Sequence, residues 1–254
     1  MFFAASMGIS TKTMAQPETA HRFSLHVGVQ HITMLDEQAT PVLYQGMGPQ
    51  VALAYEWRAP THWWQFGLNG GLLRFQPADP EVSFSEPYLS GIAGGLHISY
   101  LHLLRENEKS TWRLGASIQE ELLVDFEGIG NWPYILGQGG IYAKGRWDYL
   151  LTHKHHIGAV ISFPLLAWLT DMPYNQIPRV EGRTPDVVSA IRVGTRIPSW
   201  GSYQRVDIKL MYEFYFNEKW SFCTHYDWAW FHDAKPRDLW AYQGRLTLGL
   251  IHKW

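Results

Sequence analysis

The residues best suited to acid–base chemistry are His225 and Asp227, which lie two positions apart near the end of the chain. A carboxylate beside an imidazole orients the ring and raises its basicity, which a hydrolase uses to activate a nucleophile. The same spacing also fits a histidine that hydrogen bonds inside the fold and does no chemistry. The sequence offers no second pair of acidic residues at a strand position that would match His225 and Asp227. His225 and Asp227 are therefore catalytic candidates, and a structural role is the preferred interpretation.

The other potential metal ligands are scattered along the chain. Cys223 is the single cysteine, which excludes an intrachain disulfide and a cysteine-rich metal site. His153, His155 and His156 are close in sequence, but adjacent strand residues point to opposite faces, so joint ligation has poor geometry. Two further pairs offer only two ligands each: His232 with Asp233, and His31 with Asp36. We predict no metal and no cofactor.

The segment that holds the candidate pair alternates between apolar and polar residues. One face carries Trp220, Phe222, Thr224, Tyr226, Trp228 and Trp230, and the other carries Ser221, Cys223, His225 and Asp227. Such alternation predicts a β-strand with two different faces, and aromatic rings at both ends of the apolar face are typical of a strand that crosses a bilayer. From Trp220 to Trp230 a tilted strand rises roughly 25 Å, the height of the apolar band of an outer membrane.

Ten segments show this alternation, and the connections between them are alternately short and long. The segments are 22–33, 49–58, 63–75, 86–102, 111–124, 135–149, 156–168, 204–216 and two within 220–254. The long connections are 33–48, 76–85, 125–134, 169–203 and 232–239, and the stretch 187–197 is assigned to the fourth of them as a hairpin or short helix. An even strand count with short turns on one side is typical of bacterial barrels. We predict an all-β fold: a closed antiparallel transmembrane β-barrel of about ten strands, with long outer loops and short periplasmic turns.

Composition agrees with a membrane barrel and argues against other classes. Charged residues make up 17% of the chain, below the roughly 25% of soluble proteins. The mean hydropathy is −0.20, and no run of about 18 apolar residues predicts a transmembrane helix. The net charge of −2 gives no reason to expect nucleic-acid binding. A soluble ten-stranded lipid carrier would need the opposite polarity, apolar inside and polar outside.

Outward aromatic residues are predicted to anchor the barrel among outer-membrane lipids, because indole and phenol rings favour the interface between headgroups and acyl chains. The predicted anchors are Trp64, Trp112, Trp147, Trp220, Trp228, Trp230 and Trp254.

Two terminal segments add to this pattern. The apolar residues 1–15 end at Ala15-Gln16 and are predicted to be a truncated signal peptide, which leaves residues 16–254 as one barrel domain. The segment from Leu246 to Trp254 alternates and ends in an aromatic residue. With these features the chain resembles outer-membrane β-barrel proteins of Gram-negative bacteria, most of all small barrels of the Bacteroidota. The resemblance implies an outer-membrane location and recognition of the last strand by the barrel assembly machinery.

Two enzymatic families of barrels provide weaker comparisons. His225 and Asp227 loosely resemble the His–Asp pair of the omptin proteases, but His225 lies mid-strand rather than at the rim, and a second acidic pair is missing. A lipid A deacylase would need a serine and a histidine on an outward groove. Ser221 and His225 point inward while Thr224 points outward, so this pattern does not fit.

The inward face is predicted to be charged and mixed in sign. It holds Glu56, Arg58, Arg113, Glu121, Lys144, Arg146, Asp148, Arg205, Asp207, Lys209, Glu213, His225, Asp227 and Arg245. Side chains largely fill the interior of a barrel this narrow, and buried charges must pair. We therefore predict a filled lumen and a structural or accessory role in an outer-membrane complex. The alternatives are a hydrolase that uses His225 and Asp227, and a narrow solute pore. The proline-rich loop 169–203 is predicted either to contact another outer-membrane protein or to cap the barrel.

Overall fold

The computed structural model describes residues 20–37, 40–79, 89–125, 134–172, 195–234 and 238–254. The predicted signal peptide, residues 1–15, and most of loop 169–203 lie outside this part of the chain. Within it, no helix is long and apolar enough to span a bilayer.

The chain forms a closed antiparallel β-barrel of ten long strands, as the alternation predicted. The strands are β1 (Ala20–Asp36), β2 (Thr40–Arg58), β3 (His62–Pro77), β4 (Leu89–Glu106), β5 (Ser110–Asp125), β6 (Tyr134–Thr152), β7 (His155–Met172), the two-residue β8 (Thr195–Arg196), β9 (Tyr203–Tyr215), β10 (Trp220–Asp233) and β11 (Leu239–Lys253). The order around the barrel is β1 to β7, then β9, β10 and β11, and β11 pairs with β1 to close it. The short β8 pairs with the far end of β7 and adds a piece of strand within the stretch 187–197, for which the sequence predicts a hairpin or short helix.

Four short turns and both ends of the described barrel share one rim, here named the turn rim. The turns are 59–61, 107–109, 153–154 and 216–219. Asn107 and Asn217 shape two of these turns, since each side-chain carbonyl accepts hydrogen bonds from backbone N–H groups two and three residues later. His21 and Trp254 exchange backbone hydrogen bonds of 3.1 Å at the same rim. The opposite end, where the longer connections lie, is the loop rim.

An apolar belt surrounds the barrel next to the turn rim. Its exposed side chains come from every long strand and include Leu25, Val27, Leu53, Leu68, Ile98, Leu114, Ile118, Ile161, Leu210, Tyr226, Leu248 and Leu250. An exposed apolar surface of this size is typical of a membrane-facing exterior and would be a liability in water. The exterior therefore suits the outer membrane, the location that the sequence predicted.

Towards the loop rim the polarity of the strands inverts. Ile32, Met34 and Tyr44 are buried inside the barrel, whereas His31 and Gln45 face outward. These positions belong to β1 and β2, which are joined by only three residues, so the predicted long connection 33–48 is wrong. The reason is physical: strands above the bilayer have water outside and pack apolar residues inside, so the membrane-type alternation stops although the strand continues.

The barrel wall is interrupted between β7 and β9 in its outer half. Their pairing ends at Ser162 and Asp207, and above that point β7 pairs with β8 instead. Pro164 has no N–H to donate at this place. The indole of Trp200 donates a hydrogen bond of 2.9 Å to the carbonyl of Leu165 and lies against the gap.

Candidate functional site in the barrel lumen

A charged layer crosses the lumen near the turn rim, and Trp63 lies among its arginines. The Trp63 side chain points inward and is 1% exposed. The guanidinium of Arg58 lies 3.6 Å from its ring centroid and that of Arg146 lies 3.9 Å away. Cations at these distances are attracted by the negative face of the indole. An aromatic ring between two cationic groups leaves little room for water.

Carboxylates balance these arginines. Arg22 on β1 reaches Glu213 on β9 at 2.6 Å, and Arg146 pairs with Asp148 at 2.8 Å. The layer also contains the pairs Arg58 with Glu56 at 2.7 Å and Arg113 with Asp148 at 3.1 Å. Ion pairs buried to this degree hold their geometry because breaking one leaves an uncompensated charge.

A polar cavity of about 200 Å³ lies in the middle of the lumen. Lys144 on β6 donates hydrogen bonds across it to Gln65 on β3, at 3.2 Å, and to Ser99 on β4, at 3.0 Å. Lys209 pairs with Asp227 at 3.2 Å. The cavity is large enough for several water molecules and too small for a sizeable organic ligand.

A second charged layer crosses the lumen on the loop-rim side. Glu121 on β5 accepts from Arg245 on β11 at 2.6 Å and from Arg205 on β9 at 2.5 Å. In the order β5, β6, β7, β9, β10, β11, the first and last strands lie on opposite walls of a ten-stranded ring. The contact between Glu121 and Arg245 therefore spans the whole diameter of the barrel.

An apolar core fills the lumen nearest the loop rim. It contains Ile32, Met34, Leu73, Phe75, Leu123, Leu136, Leu169 and Phe231 among others. The hydroxyl of Tyr134 on β6 donates to Asp36 on β1 at 2.8 Å, again between opposite walls. Side-chain contacts therefore join opposite walls of the lumen at two heights, through Glu121 and Arg245 and through Tyr134 and Asp36.

The predicted catalytic pair lies on the inward face in the middle of the lumen. Asp227 pairs with Lys209, and the ring of His225 lies 4.5 Å from the ring of His26. Ser221 is also inward, and its hydroxyl donates to Glu213 at 2.5 Å. The structure thus gives each of these side chains a structural contact, and a catalytic role stays a prediction.

The predicted anchoring residues all face outward. Trp64, Trp112, Trp147, Trp220 and Trp254 lie near the turn rim, whereas Trp228 and Trp230 lie further up β10. Trp112 and Trp147 are directly paired across β5 and β6, with ring centroids 6.1 Å apart. Rings also stack along β11 and its neighbours, for example His21 on Trp254 at 6.1 Å. An aromatic girdle therefore lines the turn rim.

Two features of the lumen escaped the sequence reasoning. Trp63 was not assigned a face, although its parity matches that of the inward Gln65. The cluster of His26, Cys223 and His225 joins β1 to β10, and sequence parity shows that all three point inward but not that they meet. Their meeting depends on barrel closure through β11.

No protein-family model matches this chain, and no curated protein matches it significantly. The chain is similar in structure to the outer membrane protease OmpT from Escherichia coli, with a TM-score of 0.53, 11% identity, and coverage of 96% of this chain and 100% of that chain. An outer membrane channel from Pseudomonas putida F1 (TM-score 0.44, 8% identity, 94% and 97% covered) and the translocator domain of the autotransporter NalP from Neisseria meningitidis (0.40, 12%, 90% and 87%) also align.

At such identities the similarity is one of fold. The alignment with OmpT covers 96% of this chain and shows a shared fold, which does not imply a shared activity. The chain has the fold of outer-membrane β-barrel proteins, and this confirms the predicted resemblance.

Proposed function

We propose that this chain is a sealed, non-conducting outer-membrane barrel that serves as a structural or accessory subunit of an outer-membrane complex. The proposal rests mainly on the ion pair between Glu121 and Arg245, which joins opposite walls of the lumen at 2.6 Å. A solute that passed through would have to break this pair, the layer around Trp63 and the apolar core below the loop rim.

A filled lumen leaves the outer surfaces to carry the function. Ile197 is 71% exposed and Trp200, which lies at the gap between β7 and β9, is 70% exposed; both belong to the predicted partner loop 169–203. Exposed aromatic and aliphatic side chains next to each other favour contact with another protein, because tryptophan is enriched at the centres of interfaces. This supports a partner that contacts the loop 169–203 over a freely moving single barrel.

The alternatives are supported less. A narrow solute pore needs a continuous polar path, which the described lumen lacks. A hydrolase of this kind needs Asp227 to orient the imidazole of His225 near a substrate, whereas Asp227 pairs with Lys209 and the cavity holds only about 200 Å³.

The test is the native size of the protein after extraction from its own membrane with a mild detergent. We expect a species larger than one barrel, which contains a second protein. The double variant Ile197→Ser and Trp200→Ser should release the barrel as a single copy, since it removes the exposed apolar contacts. Trp112→Ser, which alters an exposed tryptophan at the turn rim (50% exposed), is the control and should leave the complex intact. A wild-type barrel that is always single and free of partners rules the proposal out.

A further inference from the structure

We propose that His26, Cys223 and His225 form a binding site for one Zn²⁺ ion inside the barrel. The metal-binding atoms of the three side chains lie within 4.8 Å of one another. Two imidazole nitrogens and a thiolate are a donor set that zinc uses in proteins, with a fourth position open for water. The site is independent of the proposed role as a complex subunit.

The distances approach those of a tetrahedral site. With Zn–N near 2.0 Å and Zn–S near 2.3 Å, neighbouring ligand atoms are about 3.3–3.6 Å apart. Cys223 Sγ and His26 Nδ1 are separated by 3.7 Å, which is already close to this spacing. The ligand atoms of the three side chains lie within 4.8 Å of one another, so His225 must approach the other two ligands by at most about 1.5 Å.

Gly249 makes this arrangement possible. On β11 it is paired with both His26 of β1 and Cys223 of β10, so it lies directly between them. A Cβ at this position would lie 2.3 Å from His26 Nδ1 and 2.9 Å from Cys223 Sγ. Because glycine has no side chain, the imidazole crosses the strand and reaches the sulfur.

A hydrogen bond orients His26 for binding. Its Nε2 lies 2.9 Å from the hydroxyl of Ser24. When Nε2–H donates to this oxygen, Nδ1 keeps its lone pair and directs it towards Cys223. Metal-bound histidines are commonly held in this way through the nitrogen that does not bind the ion.

The surroundings fit a bound cation with a water ligand. His26 and His225 line the central cavity, which provides the space for that water. Asp227 lies on the same face of β10 and pairs with the nearby Lys209, so the lysine is compensated. Binding converts the thiol to a thiolate and releases its proton. The ion would therefore join β1 and β10 across β11, next to the closure of the barrel.

The site can be tested by metal content. Untagged barrel is refolded in detergent with Zn²⁺ and dialysed against a weak chelator, and the zinc per chain is measured. We expect one ion per wild-type chain and none for Cys223→Ser. With Co²⁺ instead, a thiolate-to-cobalt charge-transfer band and the visible bands of tetrahedral cobalt should appear in the wild type and disappear in Cys223→Ser.

Gly249→Ala is the more specific test because it keeps all three ligands and fills only the space between them. It should lose the ion although it folds into a barrel, as judged by β-type circular dichroism and by migration without heating. His97→Gln, which alters a lumen histidine outside the cluster, is the control and should keep one ion. Retention of the ion by Cys223→Ser and Gly249→Ala, or absence of zinc from the wild type, overturns the proposal.

Discussion

At the scale of single residues, Glu121 is the side chain on which the closure of the lumen depends most. It binds Arg245 from the opposite wall and Arg205 from a third strand. Arg205 has a second carboxylate partner in Asp207 at 2.9 Å. Loss of Glu121 would therefore leave Arg245 as the more poorly compensated of the two cations.

Glu121→Ala is expected to lower the free energy of unfolding by about 3–5 kcal/mol, the cost of leaving a buried charge without its partner. Glu121→Gln should cost less because the amide still accepts hydrogen bonds from the arginines. Glu218→Ala, in an exposed turn, should change stability by no more than about 0.5 kcal/mol. Urea unfolding of the barrel in lipid vesicles measures all three. Equal stabilities of Glu121→Ala and Glu218→Ala would contradict a structural ion pair across the lumen.

At the scale of the strands, the inversion of polarity marks where the bilayer ends. Along β11, Leu246, Leu248 and Leu250 face outward and are about half exposed. Along β1 and β2, polar residues such as His31 and Gln45 appear on the outward face towards the loop rim, next to inward apolar residues. The strands are therefore longer than the membrane is thick and continue into water.

Leu248→Arg places a charge in the middle of the apolar belt and should destabilise the barrel by about 2–4 kcal/mol. Gln45→Arg places the same charge on an outward position near the loop rim and should cost less than about 1 kcal/mol, since water reaches it there. Unfolding of both variants in lipid vesicles, relative to the wild type, gives the comparison. If Gln45→Arg were as costly as Leu248→Arg, the membrane boundary would have to be moved to the loop rim.

The strand pattern could be predicted from the sequence wherever the strand lies in the membrane, because alternation there has a fixed sense. The prediction failed at 33–48, because the inward face is apolar near the loop rim, where Ile32 and Tyr44 are buried. It also could not identify β8, whose two residues have no pattern of their own and are held by pairing with Leu169 and Thr170. Inward charges such as Glu121 and Arg245 were predictable, but their pairing depends on the diameter of the barrel.

At the scale of the whole molecule, closure brings together residues that are far apart in the chain. β1 and β11 are the first and last strands, and their pairing sets His26 beside Gly249 and, beyond it, Cys223. The same closure places the Glu121 and Arg245 strands opposite each other. Parity fixes which way a residue points, whereas its partners depend on the strand order and number of the complete ring.

Whether this ring is sealed can be measured as conductance across a planar lipid bilayer. Purified wild-type barrel, inserted at a density confirmed by a co-inserted porin of known conductance, should give no stable open level in salt solution. The reason is that two charged layers and an apolar core block the lumen. Reproducible single-channel steps from the wild-type protein would contradict the account and favour the solute pore.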